Sequence, residues 1–279
     1  MKTRLLLLMT LLTVATTVMG QNDANARRQA ARRRGTTGIT QQQPRQPQAT
    51  APAQMPSLND VDNRSLYDQY IEAAKKGDAG AEKKVADSYK FPSEGFFYWL
   101  KRSAEHGDPG AQNVLAYCYA EGRGIAQDKK LAFDWWLKSA EQGNAASQGA
   151  VGAYYLNGVV VPKDEEKAYF WYQKGAAQND VHSLVMMGFA YEGKGIIPED
   201  PVKSFECFKK AAELGSDMAE PQVAFRYFYG DGVEQDYGQA AYWFEKCIAR
   251  GGDPEDIQYW QEFLDKAKKR QQIKDKQKK

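Results

Sequence analysis

Large apolar and small residues recur along this chain with a period of thirty-six residues, most clearly between residues 98 and 248. Each copy ends at a glycine or asparagine that closes an alanine-rich stretch, at Gly107, Gly143, Asn179, Gly215 and Gly251. Twelve residues after the first four of these anchors stands a tyrosine, at Tyr119, Tyr155, Tyr191 and Tyr227. Repetition at this period is typical of a solenoid built from pairs of helices.

Two further columns of the repeat indicate where helices begin and how they pack. Eight residues before each anchor is a large side chain in every copy but one, at Trp99, Trp135, Trp171, Cys207 and Trp243. We expect the tryptophans to fill the layers between packed helices. Twenty-one residues after the first four anchors is an aspartate, at Asp128, Asp164, Asp200 and Asp236. Aspartate caps the free N–H groups of a helix start, so this column predicts where the second helix of each pair begins.

The anchors themselves predict where each second helix ends. Glycine tolerates the left-handed conformation that closes a helix, and asparagine, present at position 179, is its common substitute. Capping residues for the following first helix come next, at Asp108, Asn144, Asp180, Ser216 and Asp253. Pro221 falls inside one predicted first helix. Because proline disrupts a helix interior, that helix is expected to start late or to kink.

The complete pattern resembles the Sel-one-like repeats (SLR), the thirty-six-residue branch of the tetratricopeptide (TPR) superfamily. The match runs through Gly107 to Ala140, Gly143 to Ala176, Asn179 to Ala212 and Gly215 to Ile248. Residues 70–104 follow it loosely, as a degenerate first repeat without the glycine-rich turn. The resemblance implies an all-α fold, a right-handed α-solenoid of helix-turn-helix repeats. It would contain about four full repeats, the degenerate first copy and a C-terminal capping helix after Gly252.

Four segments are predicted from the distribution of apolar and basic residues. Residues 1–20 have a basic start and an apolar run shorter than the ~20 residues of a membrane span, which predicts a signal peptide cleaved near Gly20, with retention as an anchor as the alternative. Residues 21–57 are rich in Gln, Pro, Ala and Arg, which predicts a disordered basic linker. Residues 58–265 would form the repeat domain and residues 266–279 a basic C-terminal tail.

The net charge of +2 hides an uneven distribution among these segments. Without the two basic residues of 1–20, six of 21–57 and eight of 266–279, 22 of the 38 basic residues remain. Without Asp23 and Asp275, 34 of the 36 acidic residues remain, so the predicted domain is near −12. This charge argues against nucleic acid as a partner, because phosphates require clustered Lys and Arg. The two basic arms are solvated, fold back on the acidic body, or contact anionic envelope polymers or membrane weakly.

Motifs for catalysis, metal or cofactor binding are not found. The nearest approach to a nucleophile elbow, residues 145–149, lacks its first glycine and lies in a predicted repeat helix. His106 and His182 are separated by 76 residues and have no neighbouring Cys or carboxylate at ligand spacing. We therefore predict that the chain is not an enzyme and holds no metal or cofactor.

An enzymatic alternative comes from a cysteine-rich branch of the same repeats, described as β-lactamase-like or penicillin-binding. In that branch a regularly spaced cysteine pair joins the two helices of a repeat. The three cysteines here form no such pair; they are Cys118, Cys207 and Cys247. An oxidising compartment would permit a bridge between Cys207 and Cys247, but the sequence does not require one.

The extended surface of a helix-pair solenoid predicts that the chain binds a protein or peptide. In the tetratricopeptide superfamily the first helix of each repeat lines the concave face, and the resemblance carries that register onto this chain. The larger or polar residues at the matching positions are Asn113, Tyr117, Glu121, Asn157, His182, Phe189, Glu192, Phe225, Phe228 and Tyr229. Aromatic side chains beside acidic groups suit a partner with a basic, partly apolar segment.

With its predicted signal peptide, the chain is expected to be an exported scaffold, an adaptor in an envelope or secreted complex. The expected compartment is a bacterial periplasm or outer envelope, or the extracellular medium. Two alternatives remain at this stage. One is a cell-wall or β-lactam hydrolase; the other is an adaptor of the endoplasmic-reticulum lumen, against which the lack of a retention tetrapeptide at residues 276–279 counts.

Overall fold

The computed structural model of the protein describes residues 69–88, 91–193 and 195–277. Within these ranges every regular element is an α-helix, which confirms the predicted all-α class. None of these helices combines the length and the apolar character needed to cross a membrane. The predicted signal peptide (1–20) and basic linker (21–57) lie outside the described residues.

The helices pair with their neighbours along the chain, which is the arrangement of a helix-turn-helix solenoid. Helical residues 69–75 (α1) precede a shortened first repeat formed by α2 (Ala79–Asp87) and α3 (Glu94–Glu105). The four full repeats are α4 (Pro109–Glu121) with α5 (Lys129–Glu141), α6 (Ala145–Asn157) with α7 (Glu165–Ala177), α8 (Val181–Ala190) with α9 (Pro201–Glu213), and α10 (Ala219–Tyr229) with α11 (Tyr237–Arg250). A last helix, α12 (Pro254–Gln277), packs on α11.

Capping side chains start these helices where the repeat columns predict. In three first helices the cap accepts a hydrogen bond from the amide three residues on, at 2.6 Å for Asp108, 3.0 Å for Asn144 and 2.8 Å for Asp180. The second helices begin in the same way at Asp128, Asp164, Asp200 and Asp236. Asn179, the one anchor that is not glycine, takes the left-handed conformation at φ 66°.

The tyrosine and aspartate columns meet in the turn between the two helices of each full repeat. There the aspartate amide donates a hydrogen bond of 2.9 Å to the carbonyl oxygen of the tyrosine nine residues earlier. The four bonded pairs are Asp128 with Tyr119, Asp164 with Tyr155, Asp200 with Tyr191, and Asp236 with Tyr227. The bond returns the chain to the end of the first helix, so the second helix starts beside it.

Proline delays the start of α10, as the sequence predicts. The helix begins at Ala219, four residues after its anchor Gly215, whereas α4 begins two residues after Gly107. Pro221 therefore lies in the first turn, where its missing N–H breaks no helical hydrogen bond. Ser216 Oγ still accepts a hydrogen bond from the Ala219 amide, at 3.3 Å.

Aromatic side chains fill the layers between repeats. Three of the column tryptophans are buried, with 2% of Trp99, 8% of Trp171 and 5% of Trp243 exposed, whereas Trp135 is half-buried. The next residue in each second helix is also buried; these are Leu100, Trp136, Tyr172, Phe208 and Phe244. The predicted core role of the tryptophan column is confirmed for those three copies.

A pairing that the column analysis missed joins the end of each second helix to the first helix of the same repeat. Gln142 Nε2 donates to Gln112 Oε1 at 2.8 Å, and Gln178 Nε2 donates to Gln148 Oε1 at 2.9 Å. These glutamines occupy equivalent positions of consecutive repeats. An amide pair therefore fastens the two helices together at the end where the next repeat begins.

The same position holds charged pairs in the outer repeats. Arg250 Nε donates to Glu220 Oε2 at 3.0 Å, and the Glu220 side chain is 1% exposed. In the shortened first repeat, His106 Nδ1 lies 2.7 Å from Oε2 of Glu82, whose other oxygen accepts from Arg102 Nε. The remaining repeat has leucine at both positions, Leu184 and Leu214. The two members of the pair therefore change together from repeat to repeat.

The capping helix continues beyond the boundary expected at residue 265. It runs to Gln277, and its residue Ala267 is fully buried, as Phe263 and Leu264 nearly are. Arg270 Nη1 donates to the hydroxyl of Tyr237 at 3.3 Å. The basic composition of residues 266–279 predicted a tail. Ala267 and Arg270, about one turn apart, instead contact the rest of the domain, and these contacts hold the helix in place.

Candidate binding face

The first helices of the full repeats lie on the same side of the repeat stack, and α12 covers part of this side at α10. We call it the first-helix face; it consists of the exposed and half-buried residues of α4, α6, α8 and α10. Each helix contributes residues about one turn apart, since positions three and four apart share a side. Neighbouring first helices α6 and α8 also contact each other directly.

Alanine forms the centre of this face. The outward residues of α6 are Ala146, Ala150 and Ala153, which are exposed or half-buried. The corresponding residues of the flanking helices are larger, apart from Gly110 on α4; they are Val114 and Tyr117 on α4, and His182, Met186 and Phe189 on α8. A shallow apolar trough therefore runs along α6 between two higher walls.

Cationic residues are absent from α4, α6 and α8, which contain neither Lys nor Arg. The second helices beside them contain several; those of α5 and α7 are Lys129, Lys130, Lys138, Lys167 and Lys174. Glu121 is exposed at the C-terminal end of α4, where the helix dipole adds further negative potential. The first-helix side of α4, α6 and α8 is thus poor in charge, whereas the second helices carry charges of both signs.

Five of the predicted partner-binding residues are exposed. Tyr117 and Tyr229 expose 43% and 48% of their surface, and Glu121, Asn157 and His182 are also exposed. The Arg123 guanidinium lies 5.0 Å from the ring centre of Tyr117. Asn157 Nδ2 donates to the Ala153 carbonyl at 2.9 Å, within its own helix. These five side chains are placed where a partner could reach them.

Three of the predicted partner-binding residues are half-buried and contact other residues of the domain; they are Asn113, Phe189 and Glu192. Asn113 Oδ1 accepts hydrogen bonds from Trp136 Nε1 at 3.1 Å and from Ser147 Oγ at 3.0 Å. The Phe189 ring packs edge-on against Phe208, with ring centres 4.9 Å apart. Each of these side chains contributes to packing between repeats as well as to the first-helix face.

Glu192, the third of these, forms an ion pair with a buried arginine. Its Oε1 lies 3.1 Å from Nη2 of Arg226, whose side chain is 8% exposed. The same Nη2 donates to Ser204 Oγ at 2.7 Å, and the guanidinium lies 4.8 Å from the Phe208 ring centre. Removing a partner from a buried charge is costly, so Glu192 has a structural role across the α8–α10 boundary.

The structure corrects the placement of Phe225 and Phe228. They are only 9% and 2% exposed, and both belong to the core between α10, α11 and α12. Phe263 of α12 packs against them, with ring centres 5.0 and 5.2 Å away. The repeat register predicted an open surface because it could not include contacts from the capping helix.

His182 combines exposure with crowding on one side of its ring. The ring meets that of the fully buried Tyr172 at 5.8 Å, and the Tyr172 hydroxyl has no hydrogen-bond partner among the described residues. Burial lowers the pKa of His182, and the nearby Asp180 carboxylate partly opposes this effect. The imidazole on this face is therefore biased toward its neutral form.

Two exposed residues near α10 were missed by the sequence reasoning. Met218 is 60% exposed just before the helix, and Tyr259 of α12 is 39% exposed. Tyr259 contacts Phe225, with ring centres 5.7 Å apart. α12 lies after the last repeat, so the repeat columns give no prediction for Tyr259. The one signal in the sequence is a group of aromatic residues, Tyr259, Trp260 and Phe263, in an otherwise polar segment.

The chemically reactive groups of the described residues do not form a catalytic or metal-binding cluster. No group of three or more His, Cys, Asp or Glu side chains within these ranges is arranged to hold a metal ion. All three cysteines are free thiols. Burial raises the pKa of Cys207 to about 11 and that of Cys247 to about 12, so both remain protonated at neutral pH.

A family model agrees with this architecture from the end of the shortened first repeat to the end of the last full repeat. The Sel1 repeat model matches residues 97–108, 109–144, 145–180, 181–216 and 219–251. The chain belongs to the Sel1 repeat family. The short first match falls on the degenerate repeat, and the last begins at Ala219, where α10 starts late. No curated protein sequence matches this Sel1 repeat chain.

Solved structures of two other Sel1 repeat proteins resemble this one. A protective antigen of uropathogenic Escherichia coli with an SLR fold is 26% identical, with a TM-score of 0.60 over 71% of this chain and 48% of the antigen. A Sel1 repeat protein from Oxalobacter formigenes is also 26% identical, with a TM-score of 0.62 over 74% of this chain and 60% of that protein. The chain thus spans about half to three-fifths of their lengths, and the predicted α-solenoid is confirmed.

Proposed function

We propose that this Sel1 repeat protein is a non-enzymatic scaffold that binds a protein or peptide on its first-helix face. The observation that carries the proposal is the alanine-floored trough of α6, walled by Tyr117 on one side and by Met186 and Phe189 on the other. Apolar side chains that remain accessible along three consecutive helices suit a partner that inserts its own apolar side chains.

The approach of α6 to α8 supports the assignment of this side as the concave one. These first helices contact each other, while α7 and α9, the second helices of the same repeats, have few or no contacts. Helices on the inner side of a curved stack are closer together than those on the outer side. A partner bound there would touch several repeats at once, which increases the contact area.

Charge indicates the chemistry of the partner. The trough has no Lys or Arg on its three helices, and Glu121 lies at one end. A partner segment that is mainly apolar, with a basic residue near that end, would be complementary. Two negative surfaces would repel each other, so acidic segments are disfavoured.

The predicted signal peptide supports export, and we propose that the scaffold works as an adaptor in the bacterial periplasm, the outer envelope or a secreted complex. The basic segments outside the repeats would add weak attraction to anionic envelope polymers or membrane. A cell-fractionation experiment with an antibody against the repeats tests this part. Recovery of the chain in the cytosol with residues 1–20 still attached would contradict it.

Blocking the trough tests the binding proposal. Random peptides displayed on phage are selected on the whole chain, and the dissociation constants of the selected peptides are measured by calorimetry. Ala153→Arg places a long cation in the half-buried trough and is expected to weaken binding at least tenfold. Phe170→Ala, which changes an exposed aromatic residue on the second-helix side, is the matched control.

Equal loss of binding in both variants, or in neither, would show that peptides bind elsewhere. The hydrolase alternative is tested separately with nitrocefin, for which we expect no turnover. Saturable hydrolysis by the purified chain would overturn the non-enzymatic assignment, whatever the peptide selection yields.

A further inference from the structure

Four aromatic rings form a continuous patch where α10 meets the capping helix α12. Phe225 and Tyr229 of α10 are stacked, with ring centres 6.4 Å apart and an interplanar angle of 15°. Tyr259 and Phe263 of α12 complete the group, with Tyr259 5.7 Å from Phe225 and 5.0 Å from Phe263. Tyr229 and Phe263 are 6.3 Å apart.

The two tyrosines of this aromatic patch are accessible, whereas the phenylalanines form its floor. Tyr229 and Tyr259 expose 48% and 39% of their surface, against 9% each for Phe225 and Phe263. Packing fixes the floor, so the exposed rings are held in place by their neighbours. A rigid aromatic surface that is open to solvent is the usual form of a binding hot spot.

Three other exposed aromatic rings of the described residues have a cation of their own chain beside them, whereas Phe91, 43% exposed, instead packs against Phe96 and Phe97. Arg123 lies 5.0 Å from Tyr117, Lys174 lies 4.4 Å from Phe170, and Lys246 lies 5.9 Å from Tyr242. Such pairs are favourable because the face of an aromatic ring carries negative potential.

Tyr229 and Tyr259 have no such cation from the part of the chain that the structure describes. The nearest arginine, Arg270, lowers the pKa of Tyr229 against the larger effect of burial, but its guanidinium lies over Phe228 at 4.8 Å and Tyr237 at 5.5 Å. Lys266 lies over Phe263 at 4.6 Å. The two exposed ring faces are thus left to solvent.

Acidic residues precede and follow Tyr259 on α12. The first three turns contain four carboxylates and no Lys or Arg before Lys266; they are Glu255, Asp256, Glu262 and Asp265. Glu255 and Glu262 are four residues before and three residues after Tyr259, which places them on the same side of the helix. Glu262 and Lys266 form an ion pair at 3.7 Å in which both side chains are more than half exposed, so this pair is weak.

We propose that the aromatic patch binds an arginine side chain of the peptide held on the first-helix face. The guanidinium stacks on Tyr229 and Tyr259 while the nearby carboxylates supply complementary charge. Arginine suits the site better than lysine because its planar group stacks on aromatic rings and is more weakly hydrated. This inference rests on the proposed peptide-binding function and adds a defined side chain to it.

The first test changes the peptide and leaves the protein intact. Peptides selected from the phage library on the whole chain are resynthesised with each arginine replaced by citrulline, which keeps the shape and removes the charge. For the arginine bound at the patch we expect roughly 2- to 30-fold weaker binding, the range of a cation–π contact. Equal affinity of every citrulline peptide and its arginine parent would overturn the proposal.

The second test distinguishes an aromatic contact from a merely apolar one. Tyr259→Phe retains the ring and is expected to bind as the wild type does, whereas Tyr259→Leu retains apolar surface and is expected to lose the preference for arginine over citrulline. Tyr242→Leu is the matched control, because it removes a tyrosine of similar exposure that already has Lys246 beside it.

Failure of this inference can be told apart from failure of the proposed function. Some selected peptides could lose binding in Ala153→Arg and yet contain no arginine, or bind Tyr259→Leu as well as the wild type. Such peptides would support the trough assignment and contradict the arginine site. A selection that enriches no peptide dependent on either variant would overturn both.

Discussion

Side chains at one position of the repeat differ in what covers them. Ten residues after their anchors stand Tyr117, Ala153, Phe189 and Phe225. Tyr117 is exposed and Phe189 half-buried, whereas Phe225 is only 9% exposed because Tyr259 and Phe263 pack on it. The identity of a residue and its register are therefore not enough to decide whether it can meet a partner.

His182 provides a test of electrostatics at a single residue. Since burial lowers its pKa, an NMR titration should find the midpoint below the value of about 6.5 for an unfolded histidine. Asp180→Asn keeps a capping side chain, as Asn144 does in the preceding repeat, but removes the charge that opposes the shift. The midpoint should then fall further.

The lowered pKa of His182 also predicts how the stability of the fold depends on pH. As the pH falls, the unfolded chain takes up a proton at this site at a higher pH than the folded chain does. The contribution of His182 is therefore complete above about pH 6.5 and is lost as the pH falls through its native pKa. A midpoint above 6.5, or a rise in the Asp180→Asn variant, would contradict the structure.

Substitutions at two glycines distinguish the cost of backbone strain from the cost of a steric clash. Gly215 and Gly232 have φ of 94° and 72°, which side chains with a Cβ rarely adopt. A Cβ at Gly215 would meet nothing within 4 Å, but one at Gly232 would lie 1.9 Å from the Pro201 carbonyl oxygen. Gly215→Ala should cost about 1 kcal/mol in free energy of unfolding. Gly232→Ala should cost a further 1–3 kcal/mol or so, because α9 must move.

Urea denaturation of the two glycine variants measures this difference. Equal destabilisation would mean that the turn of the last repeat is not packed against the start of α9 as the structure has it.

At the scale of elements, four of the five repeats are held by one polar pair that links the two helices near the next anchor. The pair is an amide pair in two of these repeats and a carboxylate with a basic residue in the other two, whereas the fifth repeat has leucine at both positions. A buried carboxylate needs a charged or hydrogen-bonding partner. Helix packing thus couples two residues that are thirty positions apart in three full repeats and twenty-four apart in the shortened one.

Exchanging one pair for another tests this coupling. Arg250→Gln leaves the buried Glu220 with Lys246, 3.4 Å away, as its remaining basic partner and should cost about 1–2 kcal/mol, allowing for the partial exposure of Arg250. Adding Glu220→Gln builds the glutamine pair of the preceding repeats. The double variant should recover at least half of the lost stability.

A double-mutant cycle from urea denaturation gives the coupling energy, which we expect to be about 1 kcal/mol. Strictly additive losses in the double variant would show that the two positions do not act as a pair.

At the scale of the whole molecule, the repeat stack ends in a helix that is apolar on one side and polar on the other. α12 covers Phe225, Phe228 and Phe244 with Phe263 and Leu264, while most of its outward residues are charged or polar; Tyr259 and Ile273 are exceptions. Repeat domains need such a cap because the last repeat would otherwise expose its interface. The same covering creates the aromatic patch at the edge of the first-helix face.

Shortening the chain from its C-terminal end tests the role of the cap. Removal of residues 254–279 should lower the melting temperature and cause aggregation, because burial of Phe263 and Leu264 alone contributes about 1.5–3 kcal/mol each. Removal of residues 271–279 leaves every buried residue of α12 in place and should change stability by less than about 0.5 kcal/mol. Equal melting temperatures of the two shortened chains would contradict the capping role.

The sequence alone determined the all-α repeat architecture, because each feature it needs is local. Aspartate caps, left-handed anchors such as Asn179 and the late start at Pro221 depend on residues within one or two turns, and the thirty-six-residue period shows which of them recur. The tryptophan column followed from the same period. Five of the ten proposed partner residues are exposed where the register put them.

Only the tertiary structure decided what happens between elements. Phe225 and Phe228 lie in the core, and Glu192 forms an ion pair with Arg226. The capping helix continues past residue 265. It also brings Tyr259 beside Tyr229. Each of these outcomes depends on a neighbour that a periodic pattern does not specify, since burial and ion pairing are set by whatever chain segment packs on top.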